Sequence, residues 1–154
     1  MDLDKTDYAI LTALQDNGRL TNVELAERIN LSATPCAVRV KRLQRDGFIE
    51  GYHAQLSPLR LGLSLLAFVQ VKLRSTDEKT LDAFNQAMRA IPQVLECHMV
   101  GGGFDYLIKV RARDMNHYRD FHARVIGAMD SVENTHSYFV MQEVKETARL
   151  PLEG

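Results

Sequence analysis

The spacing of hydrophobic positions changes once along this chain, near residue 60. Ahead of that point the spacing is helical. Ile10, Leu11 and Leu14 mark one face of a first helix, predicted over residues 4–15. Gly18 is expected to take the left-handed conformation after its end. Thr21-Asn22-Val23-Glu24 reads as a capping box, opening a second helix with Val23, Ala26 and Ile29 facing inward. Asn30 tolerates left-handed geometry, so the chain can turn there within two residues. A third helix starts at Ser32 or Thr34, with Pro35 in its first turn, where a missing N–H matters little. Cys36, Val40 and Leu43 form its buried face and Gly47 ends it. Phe48, Ile49 and Tyr52 are expected to continue as a strand closing this small core. Two short helices joined by so tight a turn make a helix-turn-helix, and neither would persist alone in water.

Ser57-Pro58 punctuates the chain, and beyond it alternation appears. Ala67, Val69, Val71 and Leu73 alternate as in a strand. Leu81, Phe84, Met88 and Ile91 follow helical steps, stopped by Pro92. Residues 94–100 form a second strand, Gly101-Gly102-Gly103 a turn, and Phe104, Tyr106, Ile108 and Val110 a third strand. Asp114 can cap a helix carrying Met115, Tyr118, Phe121 and Val125, and residues 132–141 supply a last strand. The order β-α-β-β-α-β is the ferredoxin-like plan, with both helices on one face of an antiparallel sheet. The fold class is therefore α+β, with a helix-turn-helix domain and its linking strand over residues 1–60 and a sheet domain over 61–154. Phe68 and Leu107 have the opposite parity from Ala67 and Ile108, so the second face of the sheet also carries apolar groups. One small domain has nothing left to cover it, and a second subunit is expected there.

Composition narrows the setting. A chain of 154 residues with 45% hydrophobic and 25% charged positions is globular in character. The longest uncharged run, residues 61–71, is about half of what a membrane span needs. Met1 leads straight into Asp2, Asp4 and Asp7, unlike a secretory leader. Two cysteines, Cys36 and Cys97, suit a reducing cytoplasm better than a disulfide scaffold. The net charge of −1 excludes a nonspecific polycation. Yet residues 36–46 hold Arg39, Lys41, Arg42 and Arg45 against Asp46 alone, a basic stripe on a near-neutral body.

Those residues carry the candidate chemistry. In a helix-turn-helix the N-terminal part of the second helix enters the major groove. Ser32, Thr34 and Pro35 lie there, with Arg39 and Arg42 one and two turns on, which assigns the arginines to base edges. Lys41 and Arg45 fall to phosphates. The glycine turn is a second candidate. Its N–H groups could hold a carboxylate and Asp105 an ammonium group, together suiting an amino-acid zwitterion. No G-x-G-x-x-G fingerprint, C-x-x-C pair or H-x-x-x-H spacing occurs, and no cofactor is expected. Cys97 and His98 point to opposite faces of a strand, so they make no nucleophile–base pair, and an enzyme is not expected. A metal- or thiol-responsive switch through Cys36, Cys97 and the histidines stays open as an alternative.

Leu3-Asp4-Lys5-x-Asp7-x-x-Ile10-Leu11, Leu31-Ser32-x-Thr34-Pro35-Cys36-x-x-Arg39-Val40-x-Arg42-Leu43 and Gly47-Phe48-Ile49-x-Gly51-Tyr52 stand in the first half. Glu96-Cys97-His98, Gly102-x-Phe104-Asp105-Tyr106-Leu107, Asp114-Met115 and Val140-Met141-x-Glu143-Val144-Lys145 stand in the second. In these motifs the chain resembles the Lrp/AsnC, or feast/famine, transcription regulators, and most of all their leucine-responsive branch. The resemblance implies a winged helix-turn-helix followed by an ACT-like αβ sandwich. It implies dimers through the C-terminal sheets, assembled further into octamers, on double-stranded DNA. It also implies an amino-acid effector, leucine or another apolar one, bound between C-terminal domains. Carried over by position, the effector residues are Gly102, Gly103, Asp105, Met115, Tyr138, Phe139 and Val140. Gly103 departs from the pattern, standing where many members have an acidic residue. That leaves a second alternative, an architectural DNA-binding protein without an effector.

Overall fold

The computed structural model describes residues 3–152 and divides them into two compact units, 3–55 with 145–152, and 56–144. The first unit holds three helices, α1 (Lys5–Asp16), α2 (Asn22–Arg28) and α3 (Ala33–Arg45). Local chemistry places their ends. Asp4 and Asp7 form a reciprocal capping box on α1, as Thr21 and Glu24 do on α2. Asn30 takes φ 55° between α2 and α3, and Gly47 takes φ 80° after α3. Ile10, Leu14, Leu25, Ala26, Cys36, Val40 and Leu43 form the core.

Four expectations need correction here. Val23 is 56% exposed, and Leu25 takes the buried position on α2. Gly18 does not enter the left-handed region, because α1 ends through the Asn17 N–H bonding Ala13 O. Its lack of a side chain serves packing instead, since a Cβ there would lie 3.0 Å from Tyr52 Cδ1. The segment after α3 forms no strand, having no neighbouring strand to pair with. Tyr52 holds it, its hydroxyl accepting from Gln44 Nε2 at 3.3 Å, while Ile49 alone packs on the core.

The fourth correction concerns the domain boundary. A single cut near residue 60 misses the return of residues 145–152 to the helical unit. Gln15 clasps the backbone of Leu150, its Oε1 accepting from Leu150 N at 2.6 Å and its Nε2 donating to Leu150 O at 3.0 Å. Arg149 pairs with Asp16, which also pairs with Arg28 at 3.3 Å. Leu152 joins Tyr8, Ala9, Ala13 and Ile29 in a groove beside α1. Two hydrogen bonds at about 1 kcal/mol each predict that Gln15→Ala speeds amide exchange at Leu150 about thirtyfold. Unchanged exchange at Leu150 in the variant would count against the clasp.

The second unit is one antiparallel sheet in the order β2-β3-β1-β4, from β1 (Leu65–Leu73), β2 (Val94–Met99), β3 (Tyr106–Ala112) and β4 (Val132–Phe139). Helices α4 (Glu78–Ala90) and α5 (Met115–Phe121) cover one face, as the ferredoxin-like plan requires. Ala67, Val69, Val71 and Leu73 of β1 and Tyr106, Ile108, Val110 and Ala112 of β3 meet Phe84, Met88, Tyr118, Phe121 and Ile126 there. A π-helical turn (His122–Ile126) follows α5. Tyr118 and His122 hydrogen-bond Ser137 (2.5 Å) and Thr135 (2.8 Å) of β4, which ties that edge strand to the helical layer. Burial pushes the His122 pKa down.

The opposite face of the sheet carries the apolar Phe68 and Leu107 read from parity, but sets them among polar and charged neighbours. Register aligns Glu96, Lys109, Phe68 and Tyr138 in one row across the sheet. His98, Leu107, Gln70 and His136 form the next row. No helix of this unit covers these rows. At one corner Arg111 is 5% exposed and held by both carboxylate oxygens of Glu143, at 3.0 and 2.7 Å.

Candidate nucleic-acid interface and effector residues

The interface begins with how α3 is fixed on α1. Asp7 lies on the buried side of α1 and is 1% exposed. A carboxylate so placed needs charged partners, since burying one alone is prohibitive. Arg39 and Arg42 supply them. Arg39 Nη1 lies 2.9 Å from Asp7 Oδ1 and 2.7 Å from Asp4 Oδ2, and Arg42 Nη2 lies 2.5 Å from Asp7 Oδ2. Burial raises the Asp7 pKa, but the Asp4 backbone N–H and the two guanidinium groups outweigh it and hold the carboxyl below its ordinary value. The same carboxylates push Arg39 up. Both arginines thus face α1, contrary to the expectation that they reach base edges. Helical geometry is the reason: positions 39 and 42 flank Cys36, Val40 and Leu43, the buried seam of α3.

The opposite side of α3 is open. Ser32, Thr34, Pro35, Val38, Lys41 and Arg45 are all exposed. Thr34, Val38, Lys41 and Arg45 step by 4, 3 and 4 residues and so form one stripe along the helix. Ser32 is the N-cap by backbone geometry, yet its hydroxyl makes no capping bond. It stands at the helix end where N–H groups and the dipole favour an anion. Arg45 is 72% exposed and pairs with its neighbour Asp46 at 2.8 Å. Ser32, Thr34, Pro35, Lys41 and Arg45 are open to solvent at the start of α3 or along it. Arg39 and Arg42 leave the set, and Val38 enters it. The signal for Asp7 was present in the sequence: a carboxylate three residues before Ile10, on the apolar side of α1.

The expected effector residues are not brought together. Asp105 N donates to Val71 O, and its Oδ2 accepts from Leu73 N at 2.7 Å, with Lys72 Nζ 3.6 Å from Oδ1. Asp105 therefore pins the glycine turn to the Leu73 end of β1, and its carboxylate is engaged rather than offered to an ammonium group. Gly102, at φ 148°, needs a glycine, and a Cβ at Gly101, Gly102 or Gly103 would meet open space. Phe139 pairs with Ala67, and Val140 N donates to Leu66 O, at the other end of β1. From Leu66 to Leu73 the strand covers about 23 Å. Met115, 49% exposed, opens α5, while Tyr138 and Phe139 are 54% and 40% exposed. Phe139 meets Tyr118 edge-on at 5.0 Å. A groove of about 340 Å³ between α4 and β2, lined by residues including Asn85, Arg89, Val94 and Cys97, contains none of them.

Among the described residues no three His, Cys, Asp or Glu side chains group as a metal site. Burial pushes both the Cys36 and the Cys97 thiol up. No helix among them is long and apolar enough to cross a membrane.

Three helices with an outward recognition face, joined to a ferredoxin-like sheet, define a DNA-binding regulator with a separate sensing domain. Comparison with known proteins agrees. Residues 3–50 match a winged helix-turn-helix DNA-binding family, and residues 66–150 match the Lrp/AsnC ligand binding domain. The chain is 49% identical over 146 residues to the proline dehydrogenase transcriptional activator of Rhizobium radiobacter, covering 95% of this chain and 94% of that one. It is 46% identical over 149 residues to the leucine-responsive regulatory protein of Escherichia coli K12, covering 97% and 91%. A transcriptional regulator of Neisseria meningitidis, solved in complex with L-Met, superimposes with a TM-score of 0.93 at 41% identity, covering 97% of each chain. The chain belongs to the Lrp/AsnC family and is a DNA-binding transcriptional regulator of that family.

Proposed function

We propose that the chain is a cytoplasmic homo-oligomeric regulator that sets α3 in the major groove and answers to an apolar amino acid. The outward stripe of α3 carries the DNA half of this reading. Ser32 and Thr34 meet base edges or the phosphates beside them, Pro35 shapes the first turn, and Lys41 and Arg45 hold phosphates. Arg39 and Arg42 act one step back, fixing α3 on α1. Lys41→Ala should weaken binding uniformly across DNA sequences and reduce the salt slope by about one phosphate contact per α3. An unchanged slope in titrations at several salt concentrations would remove Lys41 from the interface.

The separation of the effector residues supports the sensing half. Gly102 and Gly103 lie at one end of β1, and Met115, Tyr138, Phe139 and Val140 at the other, so one chain cannot surround a ligand of amino-acid size with both sets. A second protomer completes the pocket. Effector binding then alters assembly, assembly sets how many α3 helices bind at once, and DNA must shift effector affinity in return. Asp105 acts by shaping the glycine turn. The L-Met bound by the Neisseria regulator and the leucine response named for the Escherichia coli relative favour an apolar effector. Calorimetry with the twenty amino acids, paired with sedimentation, tests this. Heat and a mass change with an apolar amino acid are expected. Silence from all twenty would favour an architectural DNA-binding protein, a reading that the bare Gly101–Gly103 turn supports.

A further inference from the structure

We propose that Val38 is a specificity residue of this regulator and reads a thymine methyl group in each half-site. The inference rests on the placement of α3 in the major groove. Val38 is 62% exposed, an isopropyl group in water at the centre of a helix whose own apolar face is already buried against α1 and α2. Among the described residues nothing in the packing of the helical unit asks for valine there. Its neighbours on the stripe are Thr34 one turn before and Lys41 one turn after, with Arg45 beyond. A cation on the same face fits a polyanion, and an apolar protein partner would be a poor match for Lys41 and Arg45. On the major-groove floor the apolar feature is the C5 methyl of thymine, and branched or small apolar side chains are its usual complement. Position 38 lies in the first half of α3, the part that approaches base edges in helix-turn-helix docking. Val38 is also rigid at χ1, so contact costs little side-chain entropy.

The withdrawal of Arg39 and Arg42 sharpens this assignment. With both guanidinium groups turned to Asp4 and Asp7, the arginine left on the stripe is Arg45, the last residue of α3 and about two turns beyond Val38, outside the half that approaches base edges. Sequence readout then falls to the Thr34 hydroxyl and the Val38 methyls, which favours A·T-rich sites with a fixed thymine.

The test uses the full-length protein and a pool of random duplexes. Sites selected by the wild type should contain one thymine per half-site that sites selected by Val38→Ala lack. Replacing that thymine by deoxyuridine deletes only the methyl group and should weaken wild-type binding about fourfold per half-site. The same replacement should leave Val38→Ala unaffected. Val38→Thr keeps the branched shape and should retain part of the discrimination. If wild type binds thymine and deoxyuridine equally at every selected position, or if Val38→Ala discriminates as the wild type does, the assignment is overturned. Lys41→Ala separates this from the docking itself. Loss of affinity in that variant with no deoxyuridine effect sinks Val38 alone, whereas no loss in either experiment sinks α3 as the reading helix.

Discussion

Asp7→Ala is expected to unfold the helical unit while the sheet unit stays intact. The carboxylate is nine-tenths buried or more, and it faces two guanidinium groups that are each about 30% exposed. Removing the shared carboxylate leaves Arg42 without this partner and Arg39 with Asp4 alone, and breaking such a network costs about 3–5 kcal/mol for fully buried pairs. The reach of both arginines to water places this site near the lower figure. A unit of this size has only about 3–9 kcal/mol of stability in total, so between a third and all of it is lost. Amide exchange should become fast across α1, α2 and α3 and remain slow in β1 and β3. DNA binding should vanish with the helical unit. Slow exchange in α3 of Asp7→Ala would refute this account. The acid response follows the same group. The Asp7 carboxyl is held below its ordinary value in the folded state. Its contribution is therefore fully present above the unfolded carboxylate value near 4, and it is lost as pH falls through the lower folded value. The wild-type helical unit should melt ahead of the sheet on acidification. An Asp7→Asn variant should lose that dependence along with much of its stability at neutral pH.

Asp7 also shows where sequence reasoning stops. The capping box of α2, the left-handed Asn30 and the alternation of β1 and β3 are local, decided within a turn or a strand, and they were legible. The roles of Arg39 and Arg42 depend on a partner 32 and 35 residues away in the chain, and basic composition alone points such groups at DNA. The contacts of Asp105 are beyond local reading in the same way. Its bond to Leu73 N exists only because β3 pairs with β1 in one register. The tail was missed because the clasp of Gln15 on Leu150 spans 135 residues and uses backbone atoms, which carry no sequence signal. The strand expected after α3 failed for want of a second strand, a requirement that hydrophobic spacing cannot express. Helix periodicity was enough to give the exposure of Thr34, Lys41 and Arg45, whereas the contacts of Arg39, Arg42 and Asp105 are set by tertiary pairing.

Both halves of the proposed function come together in the open face of the sheet. Phe68 sits there between Lys109 on β3 and Tyr138 on β4, one row from Leu107. If two copies pack through this face, Phe68→Lys brings a second cation beside each Lys109 inside the joint, with Glu96 already paired to Lys109 at 3.2 Å. A second cation buried beside Lys109, with Glu96 already engaged, costs several kcal/mol, enough to dissociate a dimer at micromolar concentration. Sedimentation should then give the mass of one chain, with circular dichroism unchanged because position 68 faces away from the helices. DNA affinity should fall by about 10²–10⁴-fold, since two linked α3 helices bind far better than one. The salt slope should drop to about half, because each protomer supplies its own Lys41 and Arg45 to the phosphates. The effector heat should vanish as well, its pocket having lost the second chain. Phe68→Ala, which removes contact without adding charge, should weaken assembly less and leave part of each response. A Phe68→Lys protein that keeps dimer mass, salt slope and effector heat together would show that the copies join elsewhere, and the sensing pocket would then have to be built within one chain.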